Sequence, residues 1–154
     1  MSRSLLIDAN LLVLWAVGTV SPSLIPRHKR LAAYVESDYE LLSNFLATYD
    51  AITITPNALT EASNLAKQIA EPARSQVAGI IALIAERCNE TYVRSSVAVG
   101  RSEYKYLGLS DAAILEIKDV HLLTDDLDLY VSGVGQGGTC FNFTHLREAA
   151  GITS

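Results

Sequence analysis

Cysteine is scarce in this 154-residue chain, which has only Cys88 and Cys140. Two thiols so far apart make neither a disulfide framework nor a zinc site, so both read as reduced thiols of a cytoplasmic protein. His28, His121 and His145 are scattered, without the paired spacing of metal-ligating histidines. Four prolines and nine glycines leave no low-complexity tract or long linker. No apolar run approaches the roughly 20 residues that span a bilayer, and the stretch Leu11 to Val20 is short and broken by Gly18. A signal peptide is not expected either, because Asp8 interrupts the first apolar run and no small-residue cleavage site follows. Basic charge is also in deficit: 12 Lys and Arg against 17 Asp and Glu leave a formal net charge of −5. That balance argues against coating nucleic acid by bulk electrostatics. It leaves room for an enzyme whose acids are gathered in one place and neutralised by metal.

What is present is a hydrophobic content of 49% in a chain of single-domain length, so one globular domain over 1–154 is expected. Ser4-Leu5-Leu6-Ile7 is a short apolar run ended by Asp8, the pattern of a buried parallel strand feeding a helix over about 10–18. Residues 18–26, with Ser21-Pro22 and Ile25-Pro26, read as a loop that delivers the basic tetrad Arg27-His28-Lys29-Arg30. A helix is predicted within 28–36. Another follows to about Thr48, with Ser37 or Asp38 as cap. Ala51-Ile52-Thr53-Ile54 has strand character. Thr55-Pro56 opens a helix to about Ala70, and Pro72 starts the next. Thr91-Tyr92-Val93 reads as a short strand, and 94–106 as a helical turn or a loop. Ser110 is read as the cap of a helix over 111–118. Strand 121–124, a helix near 126–132, a strand at 139–143 and a helix near 144–150 complete the chain. This alternation predicts a three-layer α/β sandwich with a central parallel sheet.

The acids fall at informative places. Asp8 closes the first strand, and Asp125, Asp126 and Asp128 follow the strand His121-Leu122-Leu123-Thr124. Asp111 begins the helix after Gly108. Glu61 shares a helical stripe with Ala58, Leu65 and Ile69, so it either faces the sheet or reaches water at the stripe's edge. Taken singly, Asp111 and the 125–128 acids fit helix capping and the helix dipole. Together, Asp8, Glu61, Asp111 and Asp126 occupy strand ends or the helices that follow, which converge on one edge of a parallel sheet. Carboxylates crowded together need cations, and an all-oxygen ligand set selects Mg²⁺ or Mn²⁺. Hard cations held in this way suit in-line attack on a phosphodiester.

Four segments then resemble the PIN domain, the metal-dependent ribonuclease fold that includes VapC-type toxins of toxin–antitoxin pairs. They are Leu5-Leu6-Ile7-Asp8-Ala9-Asn10, Thr55-Pro56-Asn57-Ala58-Leu59-Thr60-Glu61, Leu109-Ser110-Asp111-Ala112-Ala113-Ile114 and Leu123-Thr124-Asp125-Asp126-Leu127-Asp128-Leu129. Each is short, but their order and separation cover nearly the whole chain. The resemblance implies that Asp8, Glu61 and Asp111 ligate metal. Asp126 looks like the fourth acid by the family's Thr-x-Asp pattern, Asp128 matches a frequent further ligand, and Asp125 is the least favoured of the three. Asn10 and Thr124 look like the residues that hydrogen-bond and orient the ligating carboxylates. The family further implies Mg²⁺ or Mn²⁺, metal-activated water, and RNA cut to leave a 3′-hydroxyl and a 5′-phosphate. An antitoxin protein and a homodimer are the implied partners, the latter through apolar surface on the early helices. The alternative is a PIN-fold RNA-binding or scaffold module without catalysis.

The segment from Gly18 to about Tyr39 looks longer than the family's usual first connection. Its Arg27, Lys29 and Arg30 either grip RNA phosphate beside the acids or form a solvated basic face. Arg94, Arg101 and Lys105 make a looser second group. Gly133-x-Gly135-x-x-Gly138 matches the dinucleotide-binding string but lies between a helix and a strand, the wrong context, and reads as a flexible loop. A haloacid-dehalogenase phosphatase would want an aspartate where Asn10 stands. A receiver domain would want an aspartate after a middle strand and a lysine after a late one, and this chain has neither.

Overall fold

Leu5, Leu6 and Ile7 have no solvent exposure, and the sheet is built outward from them. The computed structural model describes residues 3–152, so residues 1, 2, 153 and 154 of the expected 1–154 domain lie outside the described residues. The strand β1 (Ser4–Ile7) pairs in parallel with β2 (Ala51–Ile54) on one side and β4 (His121–Thr124) on the other. Beyond them lie β3 (Asn89–Glu90) and β5 (Cys140–Asn142), giving the order β3-β2-β1-β4-β5 with every pair parallel. Buried on both faces, β1 alternates its side chains between two cores. Leu5 and Ile7 join the larger one. Leu6 joins the smaller one with Ile114, Leu115, Leu122 and Leu129.

The larger core is covered by α1 (Ala9–Val20), α2 (Glu36–Leu46), α3 (Pro56–Ala66) and α4 (Ala73–Arg87), with Phe143 from α9 (Phe143–Ala149). The smaller is covered by α7 (Leu109–Glu116) and α8 (Leu127–Gly135). Right-handed crossovers explain the division. The chain winds from β1 through β2 to β3 in one direction, then returns past β1 to β4 and β5 in the other, so its helices change faces. The result is the three-layer α/β sandwich with a central parallel sheet expected from the sequence.

Several local expectations are corrected. Residues 28–35 form no α-helix, because the Lys29 N–H donates to the Gln68 carbonyl at 3.3 Å and the Arg30 N–H to the His28 ring at 3.1 Å. Two 3₁₀ turns, Pro22–Arg27 and Lys29–Leu31, occupy the connection before α2. Neither Ser37 nor Asp38 caps α2, which begins after Val35. Asp38 instead accepts from the Val35 backbone N–H at 2.8 Å and is wholly buried. The third strand is Asn89–Glu90 rather than 91–93, because the Thr91 N–H closes the ladder on the Ile54 carbonyl and the chain then leaves the sheet. Residues 94–106 hold two short helices, α5 (Ser95–Ala98) and α6 (Tyr104–Leu107). Gly108, at φ +91°, caps α7 in place of Ser110, in a backbone conformation that favours glycine. Gly133 and Gly135 belong to α8, not to a flexible loop. A Cβ at Gly133 would collide with the Cys140 sulfur at 2.5 Å, so this glycine lets α8 lie close on β5. Apolar surface on the early helices takes the form of a groove of about 170 Å³ lined by Trp15 of α1 and by Ile80, Leu83 and Ile84 of α4. Large exposed apolar side chains lie at Leu83, Tyr92, Val97, Val99, Tyr104, Tyr106, Leu127, Val131 and Val134. No described helix is long and apolar enough to cross a membrane.

A buried ion pair ties α2 to α9. Arg147 on α9 donates from Nε to Asp38 Oδ1 at 2.7 Å and from a terminal guanidinium nitrogen to Asp38 Oδ2 at 3.0 Å and the Ala33 carbonyl at 3.1 Å. Its guanidinium also sits 5.3 Å from the centre of the Tyr34 ring. Removing one partner of such a pair leaves an uncompensated buried charge. Arg147→Ala is therefore expected to lower unfolding free energy by about 3–5 kcal/mol in urea titration. A loss below about 1 kcal/mol, the range of an exposed pair, would show that the pair does not hold the two elements together.

Candidate metal centre at the sheet edge

The strand order reverses direction between β1 and β4, and a crevice opens there at the carboxyl ends of the strands. Asp8 follows β1 directly, and Asp125 follows β4. Register fixes their neighbours: Ile7 pairs with Leu123, which brings Thr124 beside Asp8. The Thr124 hydroxyl donates to Asp8 Oδ2, while the Leu11 N–H donates to Asp8 Oδ1 at 3.4 Å as the cap of α1. Thr124 Oγ1 also accepts from the Asp126 N–H at 2.9 Å, locking the turn after β4. Asn10 donates to Asp125 Oδ1 at 3.5 Å, and the Tyr34 hydroxyl donates to Asp125 Oδ2. Thr124 thus hydrogen-bonds Asp8, whereas Asn10 reaches Asp125, the acid least favoured from sequence.

A cleft of about 280 Å³ is lined by Asp8, Glu61, Asp111, Asp125 and Asp126, with Arg30 as its basic residue. Four of the five acids proposed from sequence therefore line one cleft, although they come from four separate segments. Glu61 is solvent-exposed, which settles its open alternative in favour of the stripe's edge. Asp126 reaches the cleft while its Oδ1 caps α8 by accepting from the Asp128 and Leu129 N–H groups at 2.8 and 3.1 Å. Asp128 is not brought to the cleft and stands exposed in the first turn of α8. Asp125, the least favoured from sequence, takes the place beside Asp8. Tyr34 was missed entirely. It comes from an irregular turn, and nothing in its sequence neighbourhood marks it.

Among the basic residues, Arg30 reaches the cleft, whereas Arg27 and Lys29 are exposed nearby on the 3₁₀ turns. His28 between them is buried. Its Nδ1 accepts from the Arg30 N–H at 3.1 Å, and Nε2 lies 3.2 Å from the Ala66 carbonyl, which fixes the turn against α3. Burial lowers its pKa below the usual histidine value, which suits a neutral structural imidazole. Arg101 of the looser group is engaged elsewhere, by Glu103 at 3.0 Å, Glu116 at 3.3 Å and Gln136 at 2.6 Å.

The electrostatics of the cleft are those of crowded like charges. Burial raises the Asp8 pKa well above the usual carboxylate range, the charge of Asp125 raises it further, and the Thr124 hydrogen bond only partly offsets this. Asp111 is pushed up to about 7 by burial, then by Asp126, Glu61 and Asp125. Burial and the Asp125 carboxylate likewise raise the Tyr34 phenol, so it remains a donor. Among the described residues, no three His, Cys, Asp or Glu side chains stand close enough to hold an ion as placed. Mutual repulsion in a low-dielectric crevice opposes such closeness. The donor set nevertheless fits a hard divalent cation: five carboxylates line the cleft, and the buried Asn10 Oδ1 has no hydrogen-bond partner among the described residues.

Fold and cleft together define a doubly wound parallel α/β protein with an acidic crevice at its switch point. No protein-family model and no curated protein matches the chain.

Because Asp8 and Asp111 bind protons more tightly folded than unfolded, their contribution to stability is fully present below the unfolded pKa. It is lost as pH rises through the folded value, near 7 for Asp111. In chelator, the melting temperature should therefore fall between about pH 5 and about pH 8. Mg²⁺ or Mn²⁺ at about a hundred times its Kd should raise it by roughly 5–10 °C at the higher pH, and by less at the lower, where protons compete. Asp8→Asn should flatten the pH dependence and abolish most of the metal-induced gain. Melting indifferent to both pH and metal would contradict the site.

Proposed function

We propose that this chain is a divalent-metal-dependent endoribonuclease, the toxin of a toxin–antitoxin pair in the cytoplasm. The observation that carries the reading is the convergence of Asp8, Glu61, Asp111, Asp125 and Asp126 on one cleft, with two of them holding raised proton affinity. The resemblance of four sequence segments to PIN-domain motifs supports the same reading. Asp8, Glu61, Asp111 and Asp126 would hold Mg²⁺ or Mn²⁺, with Asp125 added to them and Asp128 left outside. When bound, such a cation supplies activation of water and stabilisation of the charged oxygens in phosphodiester hydrolysis.

The chain's own residues prepare that chemistry. Thr124 and Leu11 hydrogen-bond the two oxygens of Asp8, and Asn10 and Tyr34 those of Asp125, which orients both carboxylates. Arg30 brings a fixed positive charge to the cleft for an RNA phosphate, with Arg27 and Lys29 extending the basic surface outward.

Incubating total cellular RNA with wild type and with Asp8→Asn, in Mn²⁺ and in chelator, tests this by sequencing new 5′-phosphate ends. Ends made only by wild type with metal are expected, and the variant should lose at least about a hundredfold in rate, the scale of removing a key charge from a catalytic site. Equal cleavage by Asp8→Asn would place the chemistry elsewhere. RNA bound but never cut would favour a binding module. For the basic surface, neutralising Arg27, Lys29 and Arg30 together should reduce the salt slope of RNA binding by about 2 to 3. An unchanged slope would mark these residues as a solvated face.

A further inference from the structure

A second groove, of about 540 Å³, adjoins the acid cleft and shares Glu61, Leu109 and Ser110 with it. Its chemistry is different. Glu61, at the shared boundary, is the charged residue in its lining, and among the described residues no basic side chain lines it. On α3, Asn57, Glu61 and Asn64 are spaced i, i+4 and i+7, so they stand on one face of the helix. A cleft acid therefore has a carboxamide one turn before it and another one turn after. Tyr92, on the segment where the chain leaves the sheet, also lines the groove. It is 72% exposed. Val93 and Leu109 add an apolar lining.

A groove without cations does not attract phosphate. A volume of this size admits a flat group of small-molecule dimensions. An exposed phenol ring offers a stacking face to any nucleobase. Side-chain amides present donors and an acceptor together, which match the hydrogen-bonding edge of an unpaired base. Continuity with the cleft through Glu61 places such a base next to the bond that the acids address.

We infer that this groove is the base subsite of a single-stranded RNA substrate. The nucleotide adjoining the scissile phosphate stacks on Tyr92, and Asn57 and Asn64 read its edge. The groove, rather than the acid cleft, then sets sequence preference. This rests on the ribonuclease reading above and assigns that site its specificity residues.

A random-sequence single-stranded RNA pool with Mn²⁺ is the probe, read as cleavage rate against RNA concentration and as base frequencies flanking new 5′-phosphate ends. Tyr92→Ala is expected to raise KM about tenfold with kcat little changed, the effect of losing one stacked base. Tyr92→Phe, which keeps the ring, should restore it. Asn64→Ala should flatten the base preference beside the cut. Tyr92 is exposed, so melting curves should coincide among these variants and exclude a folding defect. Wild-type cleavage with KM and base preference unchanged in both Tyr92→Ala and Asn64→Ala would overturn the subsite while leaving the nuclease intact. No cleavage by wild type would overturn both, and a protein segment would become the occupant to test.

Discussion

Repulsion among carboxylates at the switch point between β1 and β4 is the constraint on which the rest of this structure depends. Five acids line one cleft, and two of them bind protons far more tightly than a free carboxylate would. Burying like charges opposes folding unless something compensates for them. The surrounding residues make sense as that compensation in part: hydrogen bonds from Thr124, Leu11, Asn10 and Tyr34 satisfy individual oxygens. They do not cancel the summed charge, and Arg30 alone does not either. A divalent cation bound among the acids would offset part of what remains.

That constraint reaches far along the chain. Tyr34, which holds Asp125, is packed against the Arg147 guanidinium and against the Phe143 ring at 6.0 Å between centres. Arg147 in turn is bound by the buried Asp38. A segment between two early helices and the last helix thus converge behind one carboxylate of the cleft. The buried pair costs desolvation and gives little net stability by itself. Its contribution is positional, fixing the irregular 3₁₀ connection that carries both Arg30 and Tyr34.

Much of this was legible in the sequence, and the reasons are specific. β1, β2 and β4 are short apolar or β-branched runs flanked by polar residues, and a parallel sheet buried on both faces demands that pattern. The acids that follow β1 and β4 are placed by this pattern. β3 was misplaced because it is an edge strand of two exposed polar residues, Asn89 and Glu90, with no apolar signature to read. Asp125 and Asp128 exchanged places because position relative to the cleft depends on how the turn after Thr124 folds. Asp126 caps α8 with its side chain, which turns Asp128 outward and leaves Asp125 beside Asp8. Asp38 was read as a cap because its neighbourhood suits one, while its true partner lies 109 positions away. Long-range pairs of this kind leave no local signal.

These carboxylates are proposed to form a divalent-cation site. Anomalous diffraction from crystals of the wild-type protein grown with Mn²⁺ tests this. A manganese peak bonded to oxygens of Asp8 and Asp111, at the roughly 2.0–2.2 Å usual for a small hard divalent cation, is the expected result. Density for all five acids with no manganese among them, or manganese bound only elsewhere on the surface, would contradict it.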